Sequence, residues 1–413
     1  MHRVRLMVSY LARFDWDATV ITVDERDYEE ANDEASRALL PSHIQIARVR
    51  AWPAHLCRPF GIGDISVRAQ RALRRKVAEF ARQGKVDLVF TTVLPGFTSL
   101  VGAWAKRKFK LPFVLDYQDP WVSTLDVQQS FWSKAGIAYR LALALEPEVV
   151  SLADALTAVS DETLITLRKR KLIQENTIIR TIPIGAEGED HQVALQFGRS
   201  HIIKEQGVFD LAYLGTLTER MLPALRTLLL AAKQVLVPKR RLRVHLIGTS
   251  AQTSGEDIIG VRSIANEIGV TGMVRLQPRR LPYLDALRTM QDADLLLLLG
   301  STDSHYTASK IFPSWLARRP VLGVFHAAST VNQLARELGG VSLVTYDDKN
   351  GPLSRVGEVM KVLQSIVESN ATVMPARIET GMDPYSGQSI AEAYANLFDR
   401  VIHEAKRNET SAP

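Results

Sequence analysis

Short runs of apolar, β-branched residues alternate along the chain with longer stretches in which apolar positions recur every three or four residues. These are the two periodicities of buried strands and amphipathic helices. The first half predicts strands at 19–23, 86–92, 112–115 and 155–159, with helices over 64–83, 96–108 and 133–152. After an aperiodic stretch at 184–207, rich in Gly, Glu and His, the pattern restarts. Strands are then predicted at 209–214, 242–247, 274–276, 295–299 and 320–324, and helices at 222–237, 258–268, 283–291 and 309–316. Strands separated by helices of this length imply right-handed crossovers and parallel sheets. The chain therefore reads as two doubly wound, Rossmann-like α/β domains, 1–190 and 205–375. A helical segment, 376–413, is expected to pack back on the first. Open sheets of this kind bind ligands at the carboxyl ends of their strands. Two such sheets facing each other place the expected site in the cleft they share.

Length agrees, since 413 residues exceed one ordinary core and suit two. The single cysteine, Cys57, excludes an internal disulfide framework and reads as a small buried apolar residue, so a reducing, cytoplasmic setting is expected. No window of about 18 uncharged apolar residues exists to span a membrane, and the first ten residues are mixed and basic, unlike a secretory signal. Of the net charge of +6, residues 1–185 carry +5, with 26 basic residues against 21 acidic ones. The charge is concentrated in Arg71-Ala-Leu-Arg74-Arg75-Lys76 and Lys106-Arg107-Lys108-Phe109-Lys110. These runs are either solvated helix faces or a face that rests on anionic lipid at the inner side of a membrane. Nucleic acid is not an expected partner, because no aromatic platform accompanies the charge.

Five segments in series carry a family resemblance. They are Pro112-Phe-Val-Leu-Asp-Tyr-Gln-Asp-Pro-Trp121, Glu146 to Ser160, Thr181-Ile-Pro-Ile-Gly185, Ala212-Tyr-Leu-Gly-Thr216, and Ala308-Ser-Lys-Ile-Phe-Pro-Ser-Trp-Leu-Ala317 with Arg319-Pro320 behind it. Together the chain resembles the large retaining glycosyltransferase family numbered four, of GT-B fold. The resemblance implies transfer of a sugar from a nucleotide-sugar donor to a glycan or lipid-linked acceptor in cell-surface polysaccharide synthesis, with no cofactor beyond the nucleotide sugar itself.

The donor site implied by the resemblance lies in the second domain. Gly215 ends its first strand, where a glycine lets the backbone approach a ligand and the N–H groups that follow, from Thr216 on, face a pyrophosphate. Arg220 is the basic residue matching the phosphate contact of relatives. Lys310 opens a helix after the loop 300–308, where a cation neutralises charge on the departing nucleotide diphosphate, and Thr307 and Ser309 add hydroxyl donors. A turn glycine and a surface lysine are the plainer alternatives. On the acceptor side, Asp116 and Asp119 lie just past the strand 112–115 and are the candidates for orienting a hydroxyl or stabilising positive charge at the anomeric carbon. Gln118 stands between them, and Trp121 offers a flat face for a sugar. The alternative is a strand-end turn capped by Asp119 before Pro120. Glu146, Asp154 and His245 read as structural. No Asp-x-Asp or His pair has metal spacing in a site-like position, so a metal-independent reaction is expected.

Three departures qualify the resemblance. The acidic pair that many members carry eight residues apart is replaced by His305 and Pro313, and Gln118 replaces a basic residue. A nucleotide-sugar 2-epimerase and a catalytically degenerate partner in a polysaccharide-assembly complex are therefore alternative functions. Third, the chain opens on the helical pattern of Val4, Leu6–Val8 and Leu11. The strand and Gly-rich loop that precede this helix in relatives are absent, so the expectation is a natural start some 15–25 residues upstream, or poor activity.

Overall fold

The computed structural model describes residues 2–29, 33, 35–93, 95–122, 133–250, 257, 260–303, 306, 308–369 and 375–410. They divide into two units, one formed by 1–32, 40–184 and 387–413 and the other by 33–39 and 185–386.

The first unit runs α1 (His2–Val8), β1 (Thr19–Val23), β2 (Gln45–Val49), α2 (Ala54–Cys57), α3 (Ile65–Arg68), α4 (Gln70–Arg82), β3 (Val89–Thr92), α5 (Ser99–Phe109), β4 (Phe113–Tyr117), α6 (Lys134–Leu152), β5 (Ala155–Ala158), α7 (Asp161–Lys169) and β6 (Ile178–Thr181). The second contains α8 (Gly188–Phe197), β7 (Val208–Leu214), α9 (Leu222–Gln234), β8 (Arg241–Ile247), α10 (Val261–Ile268), β9 (Val274–Gln277), α11 (Tyr283–Asp292), β10 (Leu295–Leu299), α12 (Ile311–Leu316), β11 (Val321–His326), α13 (Val331–Leu338), β12 (Val341–Tyr346) and α14 (Val356–Glu368). Helix α15 (Gly387–Thr410) then returns to the first unit.

In the first unit the strands form two parallel sheets, β1-β2 and β3-β4-β5-β6. All five residues of β4 are buried, and their period of two divides them between two cores. Phe113, Leu115 and Tyr117 join Val149 and Val150 of α6, whereas Val114 joins Met7 and Val8 of α1 and Tyr394 and Phe398 of α15. Val20 of β1 and Phe90 of β3 pack into this second core, and among the described residues no strand joins the two sheets.

The second unit is one six-stranded parallel sheet in the order β12-β11-β10-β7-β8-β9. The five leucines of β10 alternate between its two faces. Leu295, Leu297 and Leu299 meet α9, α10 and α14, and Leu296 and Leu298 meet α8, α11, α12 and α13. A central strand covered on both sides needs no polar face, which is why its sequence is uniformly apolar.

Three strands, β2, β6 and β12, go beyond those read from the pattern. Each lies at a sheet edge and holds polar residues, such as Arg48, Arg180 and Ser342, that interrupt an apolar run. The stretch 184–207, read as an aperiodic linker, contains α8, which belongs to the second unit. Its buried face carries Asp190 and His191 beside Ala194, so hydropathy alone conceals the helical period. No described helix is long and apolar enough to cross a membrane.

Candidate functional site

The carboxyl ends of β7, β8 and β9 are joined by backbone hydrogen bonds that continue beyond the strands. Gly215 N–H donates to the Ile247 carbonyl (2.8 Å), Leu217 N–H to Thr249 (3.0 Å), Gly248 N–H to Gln277 (2.8 Å) and Ser250 N–H to Pro278 (3.0 Å). The three strand-end loops are thereby fixed against one another.

Lys310 reaches onto this platform from the turn before α12. Its Nζ lies 3.4 Å from the Tyr213 hydroxyl and 5.3 Å from the centre of that ring. Gly215 has φ +143° and no side chain, and a methyl group in its place would overlap the end of the Lys310 chain. The glycine thus serves both the backbone angle and the close approach. Arg280, in the loop after β9, donates from Nη2 to the Thr216 hydroxyl at 2.8 Å. Burial, and after it the charge of Arg280, hold the Lys310 ammonium down to about 8. A lysine whose charge is disfavoured by burial and by a neighbouring arginine forms a place where an anion relieves repulsion.

The structure brings Gly215, Thr216 and Lys310 together, with Ser309 half-buried in the same turn as Lys310. Arg220 is half exposed and forms an ion pair of 3.4 Å with Asp303. The cation that acts on Lys310 is Arg280, which the sequence reading passed over. The signal was available: Arg280 follows β9 as Gly215 follows β7, so the rule that ligands meet strand carboxyl ends applied to both. Thr307 and His305 lie outside the described residues. Pro313 stands in the first turn of α12, with no charge or amide hydrogen to offer.

On the first unit, Asp116 requires correction. It lies inside β4, not past it, and its alternation sends the side chain to the face covered by α1 and α15. There it is fully buried, paired with Arg3 (Nε to Oδ2, 3.3 Å) and accepting hydrogen bonds from Thr157 (2.7 Å) and Tyr394 (2.8 Å). A carboxylate so enclosed does not reach an acceptor.

Asp119 instead stands on the turn after β4, where partial desolvation raises its carboxyl above the ordinary value. Gln118 and Trp121 are half-buried on the same turn. Trp121 meets Phe97 edge-on at 5.7 Å and lies so close to Gly96 that a β-carbon there would collide with its indole. Glu146, read from sequence as structural, braces both ends of this turn. Its buried carboxylate accepts from the Tyr117 hydroxyl (3.1 Å) and the Val122 amide, and pairs with Arg170 (2.5 Å). Asp154 likewise ties Lys106 (2.7 Å) to the Phe113 amide (2.8 Å), and His245 is buried against Asp210 at 2.8 Å. Among the described residues no group of three or more His, Cys, Asp and Glu is placed to hold a metal ion.

Residues 2–185 match the model of the Glycosyl transferase 4-like domain, so the resemblance read from the sequence is borne out there. No curated protein sequence matches the chain. Among solved structures it is similar to sucrose-phosphate synthase from Thermosynechococcus elongatus (TM-score 0.60, 14% identity, 97% of this chain and 93% of that one). It is also similar to α,α-trehalose 6-phosphate synthase from Burkholderia multivorans (0.58, 11%, 96% and 100%) and to Anabaena HepE in complex with UDP (0.56, 13%, 93% and 100%). At these identities the likeness shows the fold, which is GT-B with two Rossmann-like domains.

Proposed function

We propose that this chain, a GT-B protein whose residues 2–185 form a glycosyl transferase 4-like domain, transfers a sugar from a nucleotide-sugar donor to a glycan or lipid-linked acceptor. The observation that carries the reading is the gathering of Lys310, Gly215, Thr216 and Arg280 at the carboxyl end of β7. The donor pyrophosphate lies over Gly215, with Lys310 and Arg280 on its oxygens. As the bond from the anomeric carbon to the diphosphate breaks, negative charge grows on the leaving oxygen, and the two preorganised cations stabilise it. Desolvating Lys310 in advance places part of the electrostatic cost in folding rather than in the reaction. Thr216 orients Arg280, and Arg220 guards the rim. The turn with Gln118, Asp119 and Trp121 serves the acceptor, its raised carboxyl suited to hydrogen bonding with a sugar hydroxyl. The acceptor oxygen bonds the anomeric carbon on the face from which the diphosphate departs, and its proton passes to the departing phosphate oxygen. Configuration is thereby kept, as in the retaining family the sequence resembles, and no metal is required by this charge arrangement. The setting is the cytoplasmic face of a membrane, in the assembly of cell-surface polysaccharide.

Incubation with a panel of nucleotide sugars tests this, beginning with uridine diphosphate sugars because HepE was solved with UDP. Slow donor hydrolysis that Lys310→Ala abolishes is the expected result. Failure to bind any nucleoside diphosphate overturns the reading. Binding without turnover favours a second reading, a degenerate partner that retains the donor pocket, for which Pro313 in place of an acid is the supporting observation.

A further inference from the structure

Between β2 and α3 the chain displays an unusual concentration of exposed apolar side chains. Trp52 is 54% exposed, Leu56 58%, Phe60 81% and Ile62 39%, all within eleven residues. Large apolar groups scattered singly need no explanation, but a contiguous set marks a contact surface. The segment is not a loose loop. Arg68 donates to the Trp52 carbonyl (2.8 Å), Trp52 N–H to Arg68 (3.2 Å) and Ala51 N–H to Asp27 (2.8 Å), while Cys57 and Ala51 anchor its inner side. Helix α2 and the turn Arg58–Phe60 therefore hold the apolar tips outward from a fixed base.

The charge around these tips is predominantly basic, although Arg50 pairs with Asp27 and Arg58 with Glu29. Residues 50–75 contain six arginines (Arg50, Arg58, Arg68, Arg71, Arg74 and Arg75) and one acid, Asp64, which is occupied capping α3 at the Ser66 amide (2.8 Å). Arg71 stacks over Trp52 at 6.0 Å. Of the two basic runs, the second is largely answered inside the protein, because Lys106 pairs with Asp154 and Arg107 with Glu148. The first run stands beside the apolar tips. The patch also adjoins the acceptor turn, since Gln70 donates to the Phe97 carbonyl (2.6 Å), and Phe97 meets Trp121.

From this geometry we infer that Trp52–Ile62 is a wedge that inserts into the headgroup layer of an anionic bilayer. Phe60 and Leu56 lead, Trp52 lies at the interface, and Arg71 and Arg75 rest on lipid phosphates. Apolar tips ringed by arginine fit such a surface in both respects, through area buried and through charge. The inference rests on the reading of a lipid-linked acceptor, which the wedge would draw from the membrane beside the turn that receives it.

Flotation of the full chain with phosphatidylcholine vesicles, with and without about a third phosphatidylglycerol, tests it. Binding is expected to the anionic vesicles and to fall as salt is raised. The Phe60→Ser, Leu56→Ser double variant should bind about tenfold more weakly with its melting temperature and donor hydrolysis unchanged. Brominated lipid should quench tryptophan emission in the parent and much less in Trp52→Phe. Binding that is undiminished in the double variant, with no quenching of Trp52, overturns the wedge while leaving a charge-only membrane reading standing. Absence of binding to any vesicle overturns both, and the donor assay separately decides the transferase reading. Self-association of the parent that vanishes in the double variant would assign the patch to a second copy and also overturn the wedge.

Discussion

Arg3 and Asp116 form a fully buried ion pair, 3.3 Å from Nε to Oδ2, that ties the first helix of the chain to the middle of the β3–β6 sheet. Arg3 also donates to the carbonyls of Ile182 (2.6 Å) and Pro183 (2.5 Å), and Tyr394 of α15 completes the carboxylate's partners. Residues from near the two ends of the chain and from its middle meet at one charge pair. Removal of one partner leaves the other charged in a medium that does not solvate it. Arg3→Ala should therefore cost about 3–5 kcal/mol in urea unfolding. A loss below about 1 kcal/mol would show that the pair contributes little.

Lys310 gives a pH signature. An unfolded lysine titrates near 10.4, and the folded one near 8. Between those values the unfolded chain holds more protons, so this group makes stability rise with pH from about 8 upward, and its penalty is fully present below 8. Lys310→Met should remove that rise and raise the melting temperature at pH 7. It should also abolish nucleoside diphosphate binding. In the parent, a bound diphosphate draws the ammonium back toward its ordinary value, so binding near pH 8.5 should take up protons. Calorimetry in buffers of different ionisation heat measures that uptake, and zero uptake would place the diphosphate away from Lys310.

Glu146 should govern the acceptor turn without touching substrate. Glu146→Ala frees both Tyr117 and Val122, so amide exchange at 118–122 should quicken and the acceptor KM should rise while the donor KM holds. Glu146→Gln keeps an acceptor for Tyr117 and should restore part of the protection. Equal effects on both substrates would point to general loosening of the unit.

His191 is buried in α8, and its burial depresses the imidazole to about 4. An unfolded histidine near 6.5 binds its proton first, so this group subtracts stability as pH falls from 6.5 toward 4. His191→Gln should flatten the stability profile over that window, as read by thermal melts in matched buffers. A profile with unchanged slope would assign the acid sensitivity elsewhere.

Much of the proposed donor side can be read from the sequence, because it depends on local order. A glycine after a strand, a lysine before a helix and a run such as Leu295–Leu299 keep their meaning wherever the sheet is built. Asp116 was misread for a different reason. Its environment is made by Arg3, Thr157 and Tyr394, which lie 113, 41 and 278 positions away. Nothing in the string around Asp116 announces them.

The sequence by itself determined two α/β units and their parallel strands, since hydrophobic period and crossover geometry are properties of short segments. The tertiary structure decided which charges face inward. Burial of Asp116, the placing of Arg280 against Lys310, the bracing of the acceptor turn by Glu146 and the outward Trp52–Ile62 tips all follow from long-range packing. Charge is the quantity most altered by packing, because its energy depends on how much water and which partner surround it. A residue's type fixes that it is an acid or a base, and only the folded neighbourhood fixes whether it binds, braces or reacts.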